Sequence, residues 1–157
     1  MRSAIVLLLA FANLSFGQAP PRTHKVTVED YFTLSAIMQI AVSPDGKQVA
    51  YTESRWDKAD DVRKTDLWVI GTGAMPTLKR LTFDRANDRN AKWGDAKTIY
   101  FLGNRKRGTE KAPFDGSTQV WRTNIDGGEL LPVTRIDGGI FQPWRGAGFA
   151  CKTRVNR

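Results

Sequence analysis

A pattern of short apolar strands that starts near Gln39 recurs about 50 residues later, and that period limits the possible architectures. Val49 and Ile99 lie 50 positions apart, as do Tyr51 and Phe101; Trp68 and Trp121 lie 53 apart, and Leu81-Thr82 and Val133-Thr134 lie 52 apart. In the first unit, Ile40-Ala41-Val42 runs into Ser43-Pro44-Asp45-Gly46 and then Gln48-Val49-Ala50-Tyr51-Thr52. Pro44 presets φ for a tight turn and Gly46 tolerates positive φ at its exit. Alternation through Tyr51 marks a strand with one larger apolar face. A polar, charged stretch from Ser54 to Thr65 is expected as a loop, followed by strands at Asp66–Ile70 and Leu78–Thr82.

The second unit keeps this order. Ala91-Lys92-Trp93 precedes a turn at Gly94-Asp95-Ala96-Lys97, one residue shorter than the first. Thr98–Leu102, a charged loop from Gly103 to Gly116, Thr118–Arg122, a turn at Asp126-Gly127-Gly128 and a closing strand over Glu129–Thr134 complete it. Four short strands per unit at this spacing predict an all-β chain: an incomplete β-propeller of about two four-stranded antiparallel blades plus the start of a third. The expected blades cover residues 39–85 and 86–139, after a lead-in at 20–38. In that lead-in Thr27 to Ile37 reads as a helix of one or two turns, with Thr27 and Asp30 as a variant capping box. Asp137–Phe141 should open a third blade, yet residues 140–157 show neither a Ser-Pro-Asp-Gly turn nor an alternating strand. They are expected to be an aberrant tail from a frameshifted or truncated gene.

Residues 1–19 have the three parts of a secretory signal. Arg2 gives the positive start, Ala4–Ala12 is an apolar run, and Ser15 and Gly17 have the spacing a signal peptidase accepts. The rival reading is an uncleaved anchor across the uncharged residues 3–21, but nine apolar residues fall well short of the ~20 needed to span a bilayer. Export to the periplasm or medium, without stable membrane insertion after cleavage, is the expectation. The export signal also bears on the charge. The chain holds 24 Lys+Arg against 16 Asp+Glu, net +8. With Arg2 and the four basic residues of 143–157 set aside, residues 18–142 carry 19 basic and 16 acidic side chains, net +3. No nucleic-acid partner is expected from so balanced a middle.

Chemistry-bearing residues are few. Cys151 alone excludes a disulfide framework, and His24 alone leaves no multi-histidine site. Gly-x-Ser-x-Gly, Walker and His-Glu-x-x-His motifs are absent. Trp68 and Trp121 are expected to pack blade on blade; Asp57, Asp60, Asp61 and Asp66 to sit in a solvated loop; and Arg105-Lys106-Arg107 to form a solvated turn. His24 reads as a linker residue, and Cys151 has no role. Catalytic, cofactor-binding and metal-binding residues are each assigned as none, and no cofactor is expected.

Val42-Ser43-Pro44-Asp45-Gly46-Lys47-Gln48-Val49-Ala50-Tyr51, with Asp66-Leu67-Trp68-Val69 and Arg80-Leu81-Thr82, resembles a blade from the N-terminal propeller of the prolyl oligopeptidase family. Ala91-Lys92-Trp93, Lys97–Phe101 and Thr118–Trp121 resemble the next blade, and Thr27–Phe32 is similar to the lead-in of exported acylaminoacyl-peptidase-like members. The resemblance covers about residues 25–141 and implies a serine peptidase whose propeller gates or docks peptide substrate. Its Ser, Asp and His belong to a C-terminal hydrolase domain that this chain lacks. TolB-like propellers, which share the Ser-Pro-Asp-Gly blade without being enzymes, imply the alternative of a binding scaffold in the envelope.

Overall fold

A computed structural model describes residues 24–106, 116–128, 130–142 and 152–153. The expected signal segment, Arg107, Glu129 and Cys151 lie outside them. The described chain is all-β apart from one short helix, α1 (Val28–Thr33). Its first four strands, β1 (Ser35–Val42), β2 (Gln48–Asp57), β3 (Val62–Gly71) and β4 (Leu78–Arg80), form an antiparallel sheet in chain order. A second sheet of the same order holds β5 (Arg89–Trp93), β6 (Thr98–Gly103), β7 (Gln119–Asn124) and β8 (Leu131–Pro132). Neither sheet closes on itself.

The turns explain why the units repeat. In the first, Gly46 N–H donates to Ser43 O at 2.9 Å, with Gly46 at φ +69°, where a side chain would be strained. The Ser43 hydroxyl donates to Asp45 Oδ1 at 2.6 Å and accepts from Gln48 N–H at 2.9 Å. The second turn uses Asp95 alone, which accepts from Lys97 and Thr98 N–H, both at 2.7 Å. It is one residue shorter: Trp93 pairs with Ile99, whereas Val42 pairs with Val49.

Hydrogen bonds repeat with the sequence. Leu67 N–H donates to the Thr82 hydroxyl at 2.8 Å, and Val120 N–H to the Thr134 hydroxyl at 2.9 Å. Leu81 N–H donates to Leu67 O and Val133 N–H to Val120 O, both at 2.8 Å. Each unit is tied to its successor in the same way, Asp88 N–H to Thr65 O at 2.9 Å and Ile140 N–H to Thr118 O at 2.8 Å. A one-residue bulge recurs in the first strand. Gln39 (φ 47°) and Asn90 (φ 57°) lie 51 positions apart and hydrogen-bond each other through the Gln39 amide.

The core lies between the sheets. Ala50, Leu67, Val69 and Leu81 of the first unit meet Ala91, Ile99, Phe101 and Trp121 of the second. On the second sheet's far side, Leu102 and Val120 are buried with Ile140.

Three expectations change. The helix ends at Thr33 and Ile37 lies in β1, because pairing with β2 begins at Ser35, opposite Arg55. Residues 54–65 are not a loop: β2 and β3 pair continuously out to Asp57 and Val62. Charged side chains hid that hairpin, since Lys64 sits between the carboxylates of Asp57 and Asp60. Beyond Phe141, where no strand was expected, β9 (Ile140–Gln142) pairs antiparallel with β10 (Lys152–Thr153). The register of that pair skips Phe141, 51 positions after Asn90.

Candidate functional site

The polar groups with the most unusual surroundings lie at the seam between the sheets. Arg105 lies two residues past the end of β6 and is 5% exposed, so it is not the solvated turn residue expected. Its guanidinium lies 5.4 Å from the Phe101 ring centroid and 5.8 Å from that of Trp121, and hydrogen-bonds the carboxylates of Asp84 and Asp88. Gly103 makes the room, since a Cβ there would lie 2.8 Å from Asp88 Oδ1. Trp121 spans the same gap, its Nε1–H donating to Gly103 O at 3.1 Å.

One guanidinium charge here faces two carboxylates, with Asp66 adding a third negative charge nearby. Burial pushes the Asp88 carboxyl up to about 8, against an opposing pull from the Thr82 hydroxyl. Burial also lowers Arg105 to about 10. Asp88 therefore holds its proton near neutrality, while Asp84, half exposed, is the charged partner of Arg105.

Fifty positions earlier, the first unit carries Arg55 where the second has Arg105, and the acid is supplied differently. Arg55 pairs with Glu53 at 2.9 Å and approaches Asp66 at 3.8 Å; Arg80 holds Asp66 at 2.7 Å. Asp66 is 2% exposed and so is no member of a solvated loop. Trp68 is half-buried and stacks on Tyr51, with centroids 6.4 Å apart and planes at 6°. Arg55 and Arg80 lie 5.7 and 5.8 Å from its ring centroid. The two tryptophans thus occupy equivalent strand positions, but only Trp121 is enclosed between the sheets.

No family model matches the chain. Among curated proteins it is similar to Dipeptidyl-peptidase 5 of Porphyromonas endodontalis, 28% identical over 153 residues, which covers 89% of this chain. That likeness supports a relationship to a peptidase family. The chain spans 21% of the length of that relative.

The other residues weighed from sequence divide plainly. Asp57 and Asp60 bind Lys64, with Arg85 at 3.2 Å from Asp60. Asp61 is exposed at the hairpin tip, at φ 52°. His24 lies 2.9 Å from Asp30, whose carboxylate also accepts from Thr27 N–H at 2.6 Å as the capping pattern anticipates. Among the described residues, no group of three or more His, Cys, Asp and Glu side chains is arranged to hold a metal ion. A cleft of about 540 Å³ opens beside Arg105, lined by Asp84, Asn104 and Lys106 among others. The signal for the seam was available in the repeat, because Arg55 and Arg105 keep the same 50-residue spacing as Val49 and Ile99. What the arrangement does chemically is bind and orient: charge-assisted hydrogen bonds and aromatic faces fix one sheet against the next.

Proposed function

We infer that residues 39–85 and 86–139 are two successive blades of the N-terminal propeller of an exported serine peptidase. The propeller gates or docks peptide substrate, and hydrolysis belongs to a hydrolase domain outside these residues. The observation that carries the reading is the repeated packing. The face bearing Ile99, Phe101 and Trp121 buries itself on the preceding sheet, and Ile140 then begins the same contact on the following side. A stack that adds sheets in one direction, each with the same hydrogen bonds to its own fourth strand, is how propeller blades associate. Likeness to a dipeptidyl-peptidase supports the peptidase parent over a scaffold.

Residues 1–19 act in this reading as the export signal, and the chain enters the periplasm or medium. The parent reaction is acyl transfer to a serine hydroxyl, with an oxyanion-stabilised tetrahedral intermediate.

Sequencing the DNA beyond codon 141, read in all three frames, tests the assignment. A Gly-x-Ser-x-Gly followed by Asp and His is the expected result. Further blades with no such motif would establish the TolB-like envelope scaffold instead. Edman sequencing of the exported chain should find its N-terminus near Gln18 or Pro20, and an intact Met1 would remove the signal assignment.

A further inference from the structure

The second sheet buries its outer side as well as its inner one. Leu102 and Val120 point away from the core shared with the first sheet, yet both are buried, packed with Ile140 and flanked by Ile136. An apolar sheet face closed in this way has another element laid on it.

The chain is fastened on its way to that cover. Gln119, 4% exposed, donates to Ile136 O at 2.8 Å and accepts from Ile136 N–H at 3.0 Å and from the Thr134 hydroxyl at 2.9 Å. Gly138 and Gly139 follow at φ 72° and 73°, and a Cβ on Gly139 would lie 2.9 Å from Thr118 O. Glycine alone lets the backbone come this close to the start of β7 in that conformation. Ile140 N–H then donates to Thr118 O at 2.8 Å, and β9 begins.

From there the pairing repeats the geometry of the two preceding units. Met38 lies opposite Thr52, Arg89 opposite Leu102 and Ile140 opposite Thr153, so the first partner advances by 51 positions at each step. Beyond each pair the first strand gains one residue on its neighbour: Ile40 meets Tyr51, Lys92 meets Tyr100 and Gln142 meets Lys152. A one-residue slip would turn a strand's side chains to the other face, and a bulge at a fixed place is a specified feature of a strand pair. An arbitrary stretch of sequence has no reason to keep both. The residues agree: Trp144, outside the described residues, stands 51 positions after Trp93, whose Nε1–H donates to Ala41 O of the first sheet at 2.9 Å.

We propose that residues 140–153 open a third unit in the same reading frame as the first two, and that its first hairpin is the cover of the second sheet's outer face. The tail is then a required part of the fold, in place of the frameshifted end expected from its missing Ser-Pro-Asp-Gly turn. That face is taken by the chain's own segment and is not open to a separate partner. The proposal concerns order along the chain and does not rest on the peptidase assignment.

Nuclear magnetic resonance on the full chain tests it. Nuclear Overhauser contacts are expected between Ile140 and Thr153 and between Gln142 and Lys152, with the β9 amides exchanging at least about tenfold more slowly than in an unfolded chain. As a second measurement, a chain ending at Gly139 should have a lower urea midpoint than the full chain, because Leu102 and Val120 lose their cover. Wild-type amides at 140–142 and 152–153 that exchange at unfolded rates overturn the proposal. So do contacts shifted by one residue, since the repeat fixes the register, or a shortened chain whose midpoint matches the full one. Any of these would leave the first two units and the peptidase assignment as they stand.

Discussion

At the scale of single residues, Arg105 decides more than any other side chain. It lies against two aromatic rings and hydrogen-bonds both Asp84 and Asp88, with only 5% of the residue exposed. Arg105→Met removes the guanidinium that hydrogen-bonds Asp84 and Asp88, and should cost about 3–5 kcal/mol, read as a lowered urea midpoint at constant slope. Asp88→Asn should be far milder at pH 7, because the native carboxyl already holds a proton there. The sign of its pH dependence follows from the raised value. Folded Asp88 titrates near 8 and the unfolded chain near 3.8, so the folded state binds the extra proton between them. That contribution is complete below about pH 4 and is lost as pH rises toward 8. Stability of the wild type should fall relative to Asp88→Asn across that window, as measured by denaturation at several pH values. Nothing in the local sequence of Arg105-Lys106-Arg107 distinguishes the first residue from the third. Its burial is set by Asp84 and Asp88, 21 and 17 positions earlier, and by the absence of a side chain at Gly103.

Elements were more legible than residues. The Ser-Pro-Asp-Gly turn, the strand around Tyr51 and the paired tryptophans stand where alternation and turn chemistry put them. Alternation failed between Ser54 and Thr65, where the inward positions run Ser54, Trp56, Arg63 and Thr65 and the outward ones Arg55, Asp57, Val62 and Lys64, so neither face reads as apolar. Backbone pairing in that hairpin is accompanied by Lys64 between two carboxylates and by Trp56 packed on Phe32. The fourth strands show a different economy, because each is very short and is extended by a threonine hydroxyl. Thr82→Val and Thr134→Val each strip the acceptor from a strand N–H, at Leu67 and Val120. Each should cost about 1–3 kcal/mol, and the two losses should match within error if the units are equivalent. Chemical denaturation of the two single variants compares them directly.

For the whole molecule, one core serves both sheets, so they should unfold together. Phe101 is fully buried among residues of both units. Phe101→Ala should cost about 3–5 kcal/mol. It should lower hydrogen-exchange protection at Ala50 and Thr52 in the first sheet as much as at Ile99 in its own. Protection lost in the second sheet alone would mean two independent units. The sequence by itself determined the period, the all-β class, the main turns and the near neutrality of the middle of the chain, because each depends on residues close together or on fixed spacing. Only the tertiary structure decided which face of each sheet is covered, that Asp66 and Arg105 are buried, and that Gln39 meets Asn90. Those outcomes depend on which sheet lies against which, and a strand's alternation marks two faces without saying what will cover either.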